Sequence, residues 1–171
     1  MLTKTYNTLG GTVKVSIEDE NSFIVFLNNK NFDIQDKEEL EEQFRIIFNQ
    51  LKLRYKLDIG GYYNIIVYKD EIYGMILSIE KEDIEYFDYF DNQIEMRIAI
   101  SPYNNFIYKL DNNDLNMPTD DCEVYIYLGN IYVKPKKEIN KIKFATILEY
   151  TTIIYGEEAD KIINCAKKVE V

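Results

Sequence analysis

From Asp36 to Tyr55 the apolar residues Leu40, Phe44, Ile47, Phe48, Leu51 and Tyr55 recur every three or four positions, which makes one continuous stripe along a helix of several turns. The residues around this stretch follow a different rule. Val13, Val15 and Ile17 alternate with Lys14 and Ser16, and Ile94, Met96, Ile98 and Ile100 alternate with Glu95, Arg97 and Ala99. A period of two belongs to strands with one buried face. A long helix among short strands must lay its stripe on a sheet, so the expected class is α+β. The expected architecture is a mainly antiparallel sheet packed by one long amphipathic helix, with a C-terminal hairpin and two helices.

Charge order supports the helix. Asp36 is placed to cap it, with Glu39 completing a capping-box pair, and Glu38, Glu41 and Glu42 lie near its positive end. Lys52, Arg54 and Lys56 lie near its negative end. Before the helix, Thr12 to Leu27 reads as two strands joined by a turn at Glu18-Asp19-Glu20-Asn21. After it, Gly60-Gly61 leads into a hairpin, Tyr62 to Tyr68 and Ile72 to Ile79, turning at Lys69-Asp70-Glu71. A further strand runs from Gln93 to Ile100 and ends at Pro102. Turn-rich sequence between Leu110 and Cys122 marks a boundary, so the expected parts are residues 1–110 and 111–171, the second either continuous with the first or a small unit of its own. The second part holds a hairpin, Glu123 to Leu128 and Ile131 to Lys134, around Gly129-Asn130. A helix from Asn140 to Tyr155 follows, with Ile142, Ala145, Leu148 and Thr152 inward and Gly156 as its C-terminal stop. A last helix, Glu157 to Lys168, turns Ala159, Ile162, Ile163 and Ala166 inward.

Composition removes several function classes. The 30 acidic against 20 basic residues give a formal net charge of −10, a field that repels polyanions unless a separate basic face exists. Only Lys134, Lys136, Lys137, Lys141 and Lys143 cluster, without arginine, and they read as a solvated edge beside a helix start. No nucleic-acid partner is expected. Apolar runs are too short to span a bilayer and no apolar segment follows Met1-Leu2-Thr3-Lys4, so no membrane partner and a cytoplasmic location are expected. Cys122 and Cys165 stand apart from any C-x-x-C pair and read as two buried free thiols, with one disulfide between them as the alternative.

Catalytic motifs are missing. The chain has 0 histidines, which removes serine–histidine, cysteine–histidine and histidine–metal arrangements. Gly10-Gly11 and Gly60-Gly61 are not followed by a phosphate-loop lysine. A calcium loop starting at Asp111 would place Leu115 and Asn116 where a ligand and a glycine belong. Cys122 lies among Asp120, Asp121 and Glu123, which blunts a thiol. No catalytic residue, metal ligand or cofactor is assigned.

One segment combines acids with rings. Ile84-Glu85-Tyr86-Phe87-Asp88-Tyr89-Phe90-Asp91 carries four aromatics in eight residues, and aromatic side chains are enriched at protein interfaces. Tyr86, Phe87, Tyr89 and Phe90 are therefore the candidate partner-binding residues, with capping of a sheet end as the alternative.

The element order, with Gly60-Gly61-Tyr62 opening a hairpin, Val124-Tyr125-Ile126-Tyr127 paired with Ile131-Tyr132-Val133, and then Ile147-Leu148-Glu149-Tyr150, resembles the MecA family. Members are two-part adaptors that hand substrates to a Clp-type unfoldase. The chain differs in being short, without a long acidic linker and with little sequence between Leu110 and Cys122. The resemblance implies an adaptor and carries no functional residue to this chain. The leading expectation is a non-enzymatic interaction or regulatory protein whose partner is another protein, with a proteolysis adaptor as its concrete form. The alternatives are a small enzyme using carboxylate or lysine chemistry and a self-assembling structural subunit.

Overall fold

The apolar stripe of the long helix meets a sheet whose strands alternate in register with it. The computed structural model describes residues 2–8, 11–19, 21–28, 37–55, 60–70, 74–82, 93–112 and 119–169. The chain forms two compact units, Met1–Tyr68 with Tyr73–Ser101, and Lys69–Ile72 with Pro102–Val171.

The first unit contains β1 (Leu2–Thr8), β2 (Gly11–Ile17), β3 (Ser22–Asn28), α1 (Lys37–Tyr55), β4 (Gly61–Asp70, all but its last two residues), β5 (Gly74–Glu82) and β6 (Ile94–Ile100). Its sheet runs in the order β1-β2-β3-β5-β4-β6. Leu40, Phe44, Phe48 and Leu51 of α1 are buried with Tyr63, Ile65 and Val67 of β4 and Met75, Leu77 and Ile79 of β5. Every second residue of these strands thus faces the helix, as their period requires. The rings of Phe48 and Tyr63 pack with centroids 4.7 Å apart, and Phe23 meets Phe48 edge-on at 5.9 Å. Arg45 Nη1 donates to the Ile94 carbonyl at 2.6 Å, tying the solvent side of α1 to the start of β6. The turn between β2 and β3 is held by Asp19, whose Oδ1 accepts from the Asn21 and Ser22 amides at 2.8 and 2.7 Å.

β4 and β6 pair in parallel, Gly61 opposite Ile94 and Val67 opposite Ile100, an exception in a mainly antiparallel sheet. The three residues between β4 and β5 force an antiparallel return, so β5 ends beside the start of β4. β6 then begins at that same end, on the far side of β4.

The second unit contains β7 (Phe106–Leu110), β8 (Cys122–Tyr127), β9 (Asn130–Pro135), α2 (Lys141–Tyr150), β10 (Thr151–Tyr155), α3 (Gly156–Cys165) and β11 (Lys167–Val169), with sheet order β10-β7-β9-β8-β11. Phe106, Ile107 and Tyr108 are all buried, so β7 is covered on both faces. Ile107, Tyr125 and Tyr132 pack on Ala159 and Ile162 of α3. Tyr108 meets Phe144 of α2 edge-on at 5.8 Å. Ile107 and Tyr108 point to opposite faces, so the sheet of this unit lies between its two helices.

Several expectations change here. The strand β7 pairs with β9 and β10, and the two units part between Ser101 and Pro102. The helix expected from Asn140 to Tyr155 ends at Tyr150, because Thr151-Thr152-Ile153-Ile154-Tyr155 continues as β10. Four β-branched residues and a tyrosine favour the sheet over another helical turn. Gly156, expected as a helix stop, instead opens α3 at φ +70°. That helix closes at Cys165 and residues 167–169 form β11. The hairpin turn falls on Leu128-Gly129, one residue earlier than expected, since Tyr127 pairs with Asn130.

Candidate interaction surface

α2 starts at Asn140, whose Oδ1 accepts from the Lys143 amide at 2.8 Å. The helix buries Phe144 and Ile147, and the Thr151 hydroxyl continues that face by donating to the Ile147 carbonyl at 2.6 Å. The expected inward set of Ile142, Ala145, Leu148 and Thr152 is therefore corrected. Ile142 is 79% exposed, Ala145 and Thr152 are exposed, and Leu148 is half-buried. A helix with apolar residues on both sides buries the side that carries the larger ring, here Phe144 against Tyr108. Its outer side then presents Ile142, Ala145, Glu149 and Tyr150, the last 57% exposed.

That outer side runs directly into β10. The strand is the end member of its sheet, and among the described residues no strand pairs with it on the side away from β7. It contains no charged residue. The Thr152 hydroxyl donates to Asp111 Oδ1 at 2.7 Å, while Ile153, Ile154 and Tyr155 are half-buried.

Three of the clustered lysines are engaged locally. Lys143 Nζ forms an ion pair with Asp121, a bond that holds the ammonium above its ordinary range. Lys136 Nζ donates to the Asp120 carbonyl at 3.2 Å and Lys134 Nζ to Asn105 Oδ1 at 2.8 Å. At the far sheet edge Lys168 Nζ donates to Glu123 Oε1 at 2.5 Å and Tyr125 Oη to Glu123 Oε2 at 2.8 Å. These two bonds, the lysine first, keep the Glu123 carboxyl below its usual range. Burial, and then the bond to Glu123, pushes the Tyr125 phenol up to about 12.

The cysteines part company. Cys122 is buried, and burial followed by the neighbouring Asp121 pushes its thiol up to about 11. Cys165, expected to be buried, is exposed. It is the last residue of α3. Among the described residues no group of three or more Cys, Asp and Glu side chains is arranged to hold a metal ion. No helix among them is long and apolar enough to cross a membrane. Tyr86, Phe87, Tyr89 and Phe90 lie outside the described residues.

No family model, no curated protein and no solved structure matches the chain. The MecA resemblance thus stands on the sequence patterns alone.

Proposed function

We propose that this protein acts by binding another protein. The observation that carries the reading is the surface of the second unit, where the exposed Ile142 and Tyr150 side chains of α2 adjoin the uncharged end strand β10. Exposed aromatic and branched side chains are what protein partners bury. An adaptor is the concrete form of this reading. Two compact units provide separate bodies for two ligands, which is the least an adaptor needs.

The test is affinity capture from an extract of the cells that make the protein, with the unaltered chain and two double variants as bait. Ile142→Ser with Tyr150→Ser removes the α2 anchors, and Tyr86→Ser with Tyr89→Ser removes the aromatic segment. A specific protein retained by the unaltered chain and lost from the first variant supports the α2 surface. Loss from the second variant alone moves the contact to the aromatic segment. Retention of a tightly held metabolite without any protein contradicts the reading.

A further inference from the structure

We infer that β11 is a displaceable strap, which opens from β8 and gives up its place to an extended segment of a partner protein carrying a basic residue. This goes beyond the surface at α2, since β8 and β11 lie at the other side of the sheet from β10.

The first argument is how lightly β11 is held. β8 pairs with β9 over six residues, from Cys122 opposite Pro135 to Tyr127 opposite Asn130. It pairs with β11 over three, Val124 to Ile126. Lys167 and Lys168 are exposed and Val169 is half-buried, so no residue of β11 is fully buried. Its hold is the ladder to β8 and the ion pair of Lys168 with Glu123, whose side chains are 55% and 33% exposed. An ion pair so open to water adds little, and an element with few apolar contacts opens before the rest of its unit. The fastening of α3 stops short of β11. The Ala166 amide donates to the Ile162 carbonyl at 2.8 Å, and Ala166 packs against the cluster of Ile107, Tyr125, Tyr132, Ala159 and Ile162. α3 therefore stays seated when β11 opens.

The second argument selects the occupant. Opening of β11 leaves the outer backbone of β8 without partners around the buried Val124 and Tyr125, a template for an added strand. β11 itself shows what fits there. Its Lys168 Nζ donates to Glu123 Oε1 at 2.5 Å, while Tyr125 Oη donates to Oε2. Lys134, opposite Glu123 on β9, gives its ammonium to Asn105 Oδ1 instead. An incoming strand without a cation at the Lys168 position leaves the carboxylate with no bonded cation, so lysine or arginine is favoured. The β11 of a second copy fits less well. Three extended residues beyond Ala166 reach only about 10 Å, so exchange presses together two molecules that each carry a net charge of −10.

The unaltered chain gives the first test, by amide hydrogen exchange read residue by residue. Alternate amides of β8 bond β9 and the others face β11. Those facing β11 are expected to exchange together with residues 167–169, at least about a hundredfold faster than those bonded to β9. The second test titrates a fluorescent peptide, Thr-Ala-Lys-Lys-Val-Thr-Val, by anisotropy against the full chain and its Lys168→Glu variant. The variant sets a carboxylate against Glu123 and loosens the strap, so it is expected to bind the peptide at least about tenfold tighter than the unaltered chain does. Glutamate in place of the second lysine of the peptide is expected to weaken binding at least about tenfold, and Glu123→Lys to reverse that preference. Equal exchange of the two sets of β8 amides, equal affinity of the unaltered and Lys168→Glu chains, or no binding at all overturns the inference. Global unfolding of Lys168→Glu overturns it by making β11 part of the core, and self-association of that variant through residues 122–127 overturns it in favour of a second copy. None of these results bears on capture through Ile142 and Tyr150, so the two readings fail separately.

Discussion

Leu128 stands at φ +48°, the one non-glycine residue in the left-handed region among the described residues, and it is 81% exposed. With Gly129 at φ +76° it forms the tight turn of the β8–β9 hairpin, a position that suits asparagine better than a branched side chain. Leu128→Asn is expected to raise the free energy of unfolding by about 1 kcal/mol, because left-handed backbone costs an ordinary residue roughly that much. Urea denaturation measures it. A loss of stability would place Leu128 under a packing constraint. The two thiols give a second residue-scale expectation. At neutral pH Cys165 is expected to react promptly with a maleimide, and Cys122 only on unfolding. Raised folded pKa values also set a pH dependence. The thiol and phenol bind their protons more tightly when folded, so their contribution is full below their unfolded pKa values. It is lost as pH rises, from about 9 towards about 11 for Cys122 and from about 10 towards about 12 for Tyr125. The unfolding midpoint is expected to fall across that window, less steeply in Cys122→Ala.

At the scale of elements, α1 was legible because stripe and charge order agree over many residues, and the structure buries Leu40, Phe44, Phe48 and Leu51. The β4, β5, β8 and β9 strands were legible from alternation broken by turn residues. β1 was not, since Thr3, Lys4, Thr5, Asn7 and Thr8 give an edge strand little apolar signal. β7 gives no alternation, because its apolar residues are consecutive, the mark of a strand covered on both faces, and it is only five residues long. β10 has the sequence pattern of a helix because Ile142, Ala145, Leu148 and Thr152 keep a helical spacing across the end of α2. The β-branched run at Thr151–Ile154, hard against Gly156, was the signal that could have divided them and revealed the α2–β10 surface. The corrected face of α2 has a direct consequence. Ile147, fully buried, is expected to cost 2–5 kcal/mol when replaced by alanine, whereas Ile142→Ser is expected to stay within roughly 0.5 kcal/mol of the unaltered chain. Equal costs would mean that the helix is rotated.

For the whole molecule, each unit buries its own core, α1 on one sheet in the first and a sheet between α2 and α3 in the second. The strong negative charge bears on association, not on fold. A basic partner is drawn to a chain of net charge −10, so complex formation is expected to slow and weaken as salt rises from low to physiological strength. Stopped-flow association at several ionic strengths checks this, and a salt-independent rate would remove the electrostatic part of the account.

The central claim is that exposed Ile142 and Tyr150, next to β10, form a protein-binding surface. It is tested most directly by capturing partners from cell extract with the unaltered chain and with the Ile142→Ser, Tyr150→Ser variant, and by recording the thermal midpoint of each. The account expects a specific protein to be retained by the first and lost from the second at nearly equal midpoints. Equal capture of that protein by both chains, or no specific protein with either, would contradict it.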